Sequence, residues 1–138
     1  MKTYNELKEA LNQSSVGLGK QKATELFMQC RQAATAMHFF HLSTPSYAAH
    51  KASNTFYTDI IDLVDTFAEN FIGRYGKFEM MPNVKIPQNN DGLAIAAGLL
   101  QWIDTNRANI TDDSEIQNII DEISGLCNST IYKLRELK

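Results

Sequence analysis

The sequence predicts an all-α protein whose chain forms a bundle of four helices. Three observations support this fold class. Apolar residues recur at the 3.6-residue period of amphipathic helices in four separate segments. Valine and isoleucine fall inside these segments and not in the two-residue alternation of strands, so no strand is expected. Residues 74–90 form a long, proline-containing connection that divides the four segments into two pairs.

The composition bounds the classes of protein. At 138 residues, 43% of them apolar, the chain has the size of one domain and can bury a core. The net charge of −3 disfavours nucleic-acid binding, which needs a basic face. No long apolar run is present, so no transmembrane helix and no membrane partner are expected, and the polar N-terminus lacks the character of a secretory signal. Cys30 and Cys127 are too few for a disulfide framework, and we expect buried thiols in a cytoplasmic protein.

The N-terminal residues 1–20 are predicted to form an arm or a short helix outside the bundle, which comprises residues 21–138. Tyr4, Leu7 and Leu11 lie on one side of this short helix. Residues 14–19 are rich in turn-forming types, and we expect them to break the helix.

The first two bundle helices, A and B, are expected to form an antiparallel hairpin. Helix A should cover about residues 21–42 and helix B about residues 46–73, with Gly73 as a natural C-terminal stop. Thr44 and Pro45 combine a capping residue with a proline at the first helical position, which predicts a tight turn between the two helices.

Helices C and D follow the long connection. Helix C should begin after Asp91, an N-cap residue, and end near Asn109. Helix D should begin after residues 111–113, with Ser114 or Asp113 as its cap, and run to the end of the chain. A connection as long as residues 74–90 lets helix C start back at the opposite end of the bundle, which is the crossover of ferritin-like bundles. Its apolar residues are expected to cover a dimer surface or to pack on the bundle rim: Met80, Met81, Val84 and Ile86.

All three histidines lie close to the turn between helices A and B, and imidazole is the commonest metal ligand. His38 and His50 are nearly equidistant from the turn, so we expect their rings to face each other. The carboxylates Asp65 and Glu69 lie 15 residues beyond His50 and Asn54. That separation is about 22 Å along the helix axis but only about 60° around it. One ion cannot touch both ends, so the sequence predicts that a second copy related by a two-fold axis completes the site.

Each of these side chains also has an ordinary structural explanation. A lone histidine on a helix is more often a surface or satisfied core residue than a ligand. A carboxylate pair spaced i, i+4 is more often a solvated acidic face. His41 lies i, i+3 from His38 and either joins it in binding metal or, rotated by about 300°, points to solvent or to a partner chain.

The stretch of residues 38–69 resembles the signature of Dps-type miniferritins, the DNA-binding proteins from starved cells. That family has a histidine near the end of helix A and a second histidine 12 residues later, followed by an acid and then by an Asp-x-x-x-Glu pair in a D-x-x-D-x-x-A-E-R type sequence. His38 and His50 have the 12-residue spacing, and residues 62–69, DLVDTFAE, match the second half. Asp65 and Glu69 thereby correspond to the family's carboxylate ligands.

The chain also departs from the family pattern. Asn54 stands where the family has an acid, and Phe39 stands where it usually has a tryptophan beside the iron site. The chain is shorter than typical members and has no lysine-rich tail.

The resemblance implies a protein that binds iron at an inter-subunit ferroxidase site, oxidises Fe(II) with peroxide or dioxygen, and stores iron in a dodecameric shell built from two-fold dimers. Zinc is the alternative ion for the site. The implied ligands are His38 and His50 of one chain, Asn54 as a weak or water-mediated ligand, and Asp65 and Glu69 of the two-fold mate. Four acids are candidates for lining entry pores, although a solvated face is their commoner role: Asp112, Asp113, Asp121 and Glu122.

Two other functions are compatible with the sequence. The chain could keep the ferritin-like bundle as a non-enzymatic structural or interaction protein with a degenerate or zinc-occupied site, which the neutral Asn54 favours. A weaker hypothesis is a DNA-compacting protein that uses five basic residues: Lys20, Lys22, Lys133, Arg135 and Lys138.

Overall fold

The computed structural model describes residues 1–78, 80–88 and 90–138, except for the side chains at positions 14 and 15. Its elements are α1 (Tyr4–Ser43), α2 (Tyr47–Tyr75), α3 (Gly92–Asn106), a short 3₁₀ helix (Arg107–Asn109) and α4 (Ser114–Glu136). No strand occurs in these ranges, so the predicted all-α class with four helices is confirmed. Residues 79 and 89, which belong to the predicted connection, lie outside the described residues.

The first helix is much longer than the sequence predicted. α1 continues through residues 14–19, so the predicted break is wrong, and the short N-terminal helix and helix A are one helix of 40 residues. Thr3 and Glu6 form a capping box at its start. Gly19 does not end the helix but permits close packing, because a Cβ at this position would lie 2.6 Å from the backbone oxygen of Ile110. The residues before Gly19 are largely exposed, and packing against the bundle begins there.

The turn between α1 and α2 lies where it was predicted, but its capping residue differs. Ser46, not Thr44, is the N-cap of α2, and its hydroxyl oxygen accepts a hydrogen bond from the backbone N–H of Ala49 at 3.1 Å. At its other end α2 continues past Gly73, the predicted stop, to Tyr75. Gly76 follows with a φ of 95°, a left-handed value that favours glycine.

Helices α2 and α3 point in the same direction. The start of α3 lies beside the α1–α2 turn, because a Cβ at Gly92 would lie 2.7 Å from the ring of Phe40. The end of α2 lies at the opposite end of the bundle, where the hydroxyl oxygens of Tyr75 and Thr111 are 2.5 Å apart. Each helix packs against two antiparallel neighbours, in the order α1, α2, α4, α3 and back to α1.

The connection between α2 and α3 therefore follows α1 from one end of the bundle to the other. Near its start, the ring of Phe78 packs on that of Phe27 at a centroid distance of 6.2 Å. In its middle, the carbonyl of Val84 accepts a hydrogen bond from a glutamine of α1 at 3.4 Å. Close to its end, the hydroxyl of Ser43 donates to the side-chain oxygen of Asn90 at 3.1 Å. The crossing connection places the α1–α2 turn and the start of α3 at one end of the molecule.

The core is built from the apolar stripes of all four helices. Among the largest fully buried side chains are Leu26, Met37, Phe56, Phe67, Phe71, Ile103, Ile116, Ile120 and Ile123. Cys30 and Cys127 are buried thiols, as predicted. Burial raises the pKa of Cys30 well above its usual value, and burial, followed by the charge of Asp104, raises the pKa of Cys127 to about 12. Both thiols are therefore protonated at neutral pH, the unreactive form.

Candidate metal-binding site: a histidine cluster at the helix hairpin

The three histidines meet at the end of the bundle that carries the α1–α2 turn. His38 and His41 project from the last turns of α1, one helical turn apart, and His50 lies in the first turn of α2. Tyr57 of α2 joins them, with its ring centroid 4.2 Å from that of His38 and 5.2 Å from that of His41. We call His38, His41, His50 and Tyr57 the histidine cluster.

Two reciprocal hydrogen bonds hold His41 and His50 together. Nδ1 of His41 lies 2.8 Å from the backbone oxygen of His50, and Nδ1 of His50 lies 3.0 Å from the backbone oxygen of His41. A carbonyl oxygen only accepts, so both Nδ1 atoms must carry the hydrogen. The carbonyl of His41 lies in the last turn of α1 and has no partner within its helix, and the bond from His50 satisfies it.

This hydrogen bonding selects one tautomer for each ring. When a neutral imidazole carries its hydrogen on Nδ1, its Nε2 has a free lone pair and can act as a metal ligand. A backbone carbonyl that receives the Nδ1 hydrogen is also a common outer-shell partner of metal-binding histidines, because it fixes the orientation of the ring. His41 and His50 therefore have the chemical state that a histidine ligand needs.

Stacking adds to this orientation. The rings of His41 and His50 stack with a centroid distance of 3.7 Å and an interplanar angle of 21°. His41 is buried, and the hydroxyl oxygen of the fully buried Ser53 lies 3.4 Å from its Nδ1. His38 is exposed and stacks on Tyr57 at an interplanar angle of 16°.

The predicted pairing of His38 with His50 is therefore wrong in its partner. The ring that faces His50 is that of His41, and His38 instead faces Tyr57. Distance from the turn gave the axial level of each side chain but not its direction around the helix. The latter decides which of two histidines one turn apart points into the interface between α1 and α2.

The predicted oxygen ligands lie apart from the histidine cluster or are already engaged. Asp65 and Glu69 are exposed on α2, and the 15 residues between His50 and Asp65 correspond to about 22 Å of helix. Asn54 is exposed, and its side-chain oxygen accepts a hydrogen bond from the hydroxyl of Tyr57 at 2.9 Å. Within the described part of one chain, no group of three or more His, Cys, Asp or Glu residues is placed to hold a metal ion. One chain thus supplies a pair of oriented imidazoles, and any carboxylate ligand must come from elsewhere.

Sequence reasoning missed Ser53 and Tyr57, although a signal for them existed. They follow His50 by three and seven residues, the spacing of side chains that share one face of a helix. Because Ser53 and Tyr57 share a helix face with His50, the sequence alone could have indicated that they surround its ring.

Large apolar side chains are exposed around the same end of the bundle: Phe39, Leu42 and Tyr47. Phe39, which the resemblance placed beside an iron site, lies on α1 and lines a groove of about 470 Å³ together with Ile86 and Pro87 of the connection. An exposed aromatic and aliphatic surface next to the histidine cluster suits contact with another molecule.

The charged residues singled out in the sequence are partly paired with each other. Of the candidate pore acids, Asp113 caps α4 and lies 2.6 Å from Arg74, and Asp121 lies 2.6 Å from Arg107. Of the candidate DNA-binding residues, Lys22 lies 3.4 Å from Glu25 and Arg135 lies 3.0 Å from Glu136. These contacts between opposite charges lower the local field that either proposal would use.

The fold and the cluster define a class of protein, a four-helix bundle with paired imidazoles at its helical hairpin. The family described as "Family of unknown function (DUF5856)" matches residues 41–134, more than half of the chain, and the chain belongs to this family. It is similar to the "Uncharacterized 14.6 kDa protein in mobD-ri intergenic region" of Enterobacteria phage T4. The two are 29% identical over 126 residues, which cover 84% of this chain and 91% of the phage protein.

No solved structure matches the chain significantly. Among the described residues, no helix combines the length and the apolar character that crossing a bilayer requires.

Proposed function

We propose that this chain is a ferritin-like protein that binds iron at a site shared between two copies. The observation that supports it most directly is the reciprocal hydrogen bonding of His41 and His50, which orients two imidazoles and frees their Nε2 atoms. The arrangement of the helices adds support, because a long connection joins two parallel helices in a bundle whose neighbours are all antiparallel, as in ferritin-like folds.

The donor types fit iron when two chains are combined. His50 of one chain, whose ring His41 holds in place, would provide a nitrogen ligand, and Asp65 and Glu69 of a second copy would provide oxygen ligands. Imidazole and carboxylate together suit Fe(II) and also Zn(II), so zinc is the competing ion. Asp65 and Glu69 are exposed and His50 is half-buried, so another chain can reach these three side chains, whereas His41 is buried behind His50.

We propose a ligand set that differs from the expected one at two positions. His50 remains the imidazole ligand with His41 stacked against it, and His38, which stacks on Tyr57, is a neighbouring residue. Asn54, whose oxygen is engaged by Tyr57, contributes through water or not at all. Fe(II) would then be a substrate, oxidised by dioxygen or peroxide. Storage in a dodecameric shell and a cytoplasmic location belong to the same proposal.

Complementation between variants tests the shared site. Aerobic addition of Fe(II) is followed by absorbance for the wild type, His50→Ala and Asp65→Asn, with Asp104→Asn as a control that removes a similarly exposed carboxylate from α3. Each site variant alone should lose Fe(II) oxidation, and the control should keep it. In a mixture of equal amounts, about half of the dimers are mixed and each has one intact site, so about a quarter of the activity should return.

Two results would reject the proposal. Oxidation no faster than in buffer for the wild type would exclude a ferroxidase. Loss of activity in both variants without recovery on mixing would exclude a site shared between copies.

A second candidate function is a non-enzymatic structural or interaction protein. The engagement of Asn54 by Tyr57 favours it, because the position that would need a charged ligand holds a neutral amide that is already hydrogen-bonded. This candidate predicts self-association with no metal-dependent change in thermal stability. The hypothesis of DNA binding has less support than either of these. Gel shifts at increasing salt concentration test it, because contacts with phosphate groups weaken as the salt concentration rises.

A further inference from the structure

The N-terminal part of α1 carries an apolar stripe that its own chain leaves exposed. We call residues 4–18 the arm. Tyr4, Leu7, Leu11 and Leu18 project from it within an arc of about 60°, and each is among the exposed large apolar residues of the structure. The arm lies outside the residues that match the family. Helices of this length are only marginally stable in water without tertiary contacts, so the stripe predicts a partner.

A groove lies at the base of the arm. Its volume is about 750 Å³. The α1 wall is polar and includes Gln21, Thr24 and Glu25, whereas the connection supplies the apolar residues Met80, Met81 and Val84. Met80 and Met81 are 80% and 78% exposed. Flexible methionine side chains adapt well to an incoming apolar surface. A second cavity of about 330 Å³ lies along the arm and shares Gly17 with the groove, so the two form one continuous surface.

The arm cannot fill the groove of its own chain. α1 is a single helix from Tyr4 to Ser43, and it forms one wall of the groove, so the arm points away along the helix axis. An apolar stripe and a groove with apolar methionines on one wall adjoin each other on one chain but cannot meet there, so they can pair between two chains.

We propose that two copies exchange arms, each arm packing into the groove of the other copy about a two-fold axis. The two arms would run antiparallel, and both grooves would be filled at once. Each arm is about 22 Å long and about 10 Å wide, so the two contacts together bury on the order of 1,000 Å², close to the lower bound for a specific interface. The arm carries the charges of Glu6, Lys8 and Glu9, a net charge of −1, which opposes the approach of two arms only weakly.

Sedimentation of the full-length chain over a range of concentrations tests the stripe. Leu7→Glu and Leu137→Glu form a matched pair, because the two leucines are 50% and 47% exposed and lie at opposite ends of the molecule. We expect Leu7→Glu to weaken dimerisation about tenfold or more, and Leu137→Glu to leave it unchanged. Equal dissociation constants for the wild type and Leu7→Glu would overturn the proposal.

Cross-linking identifies what covers the groove. Leu11→Cys and Met81→Cys are each prepared in a background that retains the buried Cys30 and Cys127, and are oxidised separately and as a mixture. Arm exchange predicts a disulfide-linked dimer only in the mixture. A linked dimer of Leu11→Cys alone would show that the arms pair with each other, and no linked dimer in any sample would show that the groove has no arm in it. Either result would overturn the proposal.

Discussion

Gly19→Ala tests the close approach of α1 to the segment that joins α3 to α4. In an open helix position this substitution would stabilise the protein by about 1 kcal/mol, because alanine loses less backbone entropy than glycine. Here the new methyl carbon would lie 2.6 Å from the backbone oxygen of Ile110, well inside the contact distance. A backbone atom cannot rotate away as a side chain can, so α1 or the segment must shift. Overpacking of this kind costs about 1–3 kcal/mol, so the net change is a loss of up to about 2 kcal/mol.

Thermal and urea unfolding followed by circular dichroism measure the effect. For a chain of this size, a loss of about 2 kcal/mol lowers the melting temperature by about 5–10 °C. Gly17→Ala and Gly98→Ala are matched controls, because a Cβ at either position meets nothing within 4 Å. Both controls should equal or slightly exceed the stability of the wild type. If Gly19→Ala behaves as they do, α1 does not pass against Ile110 and its packing at that point is wrong.

Three further predictions follow from particular contacts. Gly92→Ala should destabilise the protein by up to about 2 kcal/mol in urea unfolding, since its Cβ would lie 2.7 Å from the Phe40 ring and 3.1 Å from Leu134, a figure that already deducts about 1 kcal/mol for replacing a helical glycine; a gain of about 1 kcal/mol, as at an open helix position, would refute the packing of α3 on the end of α1. His41→Ala should lower stability by about 1–2 kcal/mol because it removes a buried ring and the hydrogen bond from its Nδ1 to the backbone oxygen of His50, whereas the exposed His38 should tolerate the same change within about 0.5 kcal/mol; the reverse order would contradict the pairing described. Cys30 and Cys127 should react with a thiol reagent at pH 8 only after denaturation, and rapid labelling of the native protein would show that the thiols are accessible. The free energy of unfolding should fall as the pH rises from about 9 toward 12, because the raised pKa keeps the folded thiols protonated while the unfolded thiols ionise.

The starts of α3 and α4 were predictable from the sequence, because a cap acts within its own turn of helix. Asp91 caps α3 as expected, and Asp113, one of two candidates, caps α4. The cap of α2 was expected at Thr44 but is Ser46. Features that depend on contacts between distant parts of the chain were not predictable. Gly19 was expected to break the helix, but its lack of a side chain lets α1 pack closely against the backbone of Ile110, which lies far away in the sequence.

The candidate site was predictable in its location but not in its pairing. That three histidines would meet at one hairpin follows from their distance to the turn. Which two would stack depends on the rotation of α1 against α2, and that rotation is set by the packing of the whole core. The hydrogen bond from the Tyr57 hydroxyl to Asn54 likewise depends on side-chain conformations, which the spacing of residues in the sequence does not determine.

The length of α1 has a consequence for assembly. The helix is about 60 Å long, and its arm extends beyond Lys20, which lies beside Gly76 at the end of α2. A neighbour bound along α2 at the proposed shared site therefore leaves the arm free. If both proposed contacts form, each subunit binds two different neighbours, and assembly does not stop at a dimer. The angle between the two symmetry axes then decides whether the particles close into a cage or a ring, or extend as a fibre.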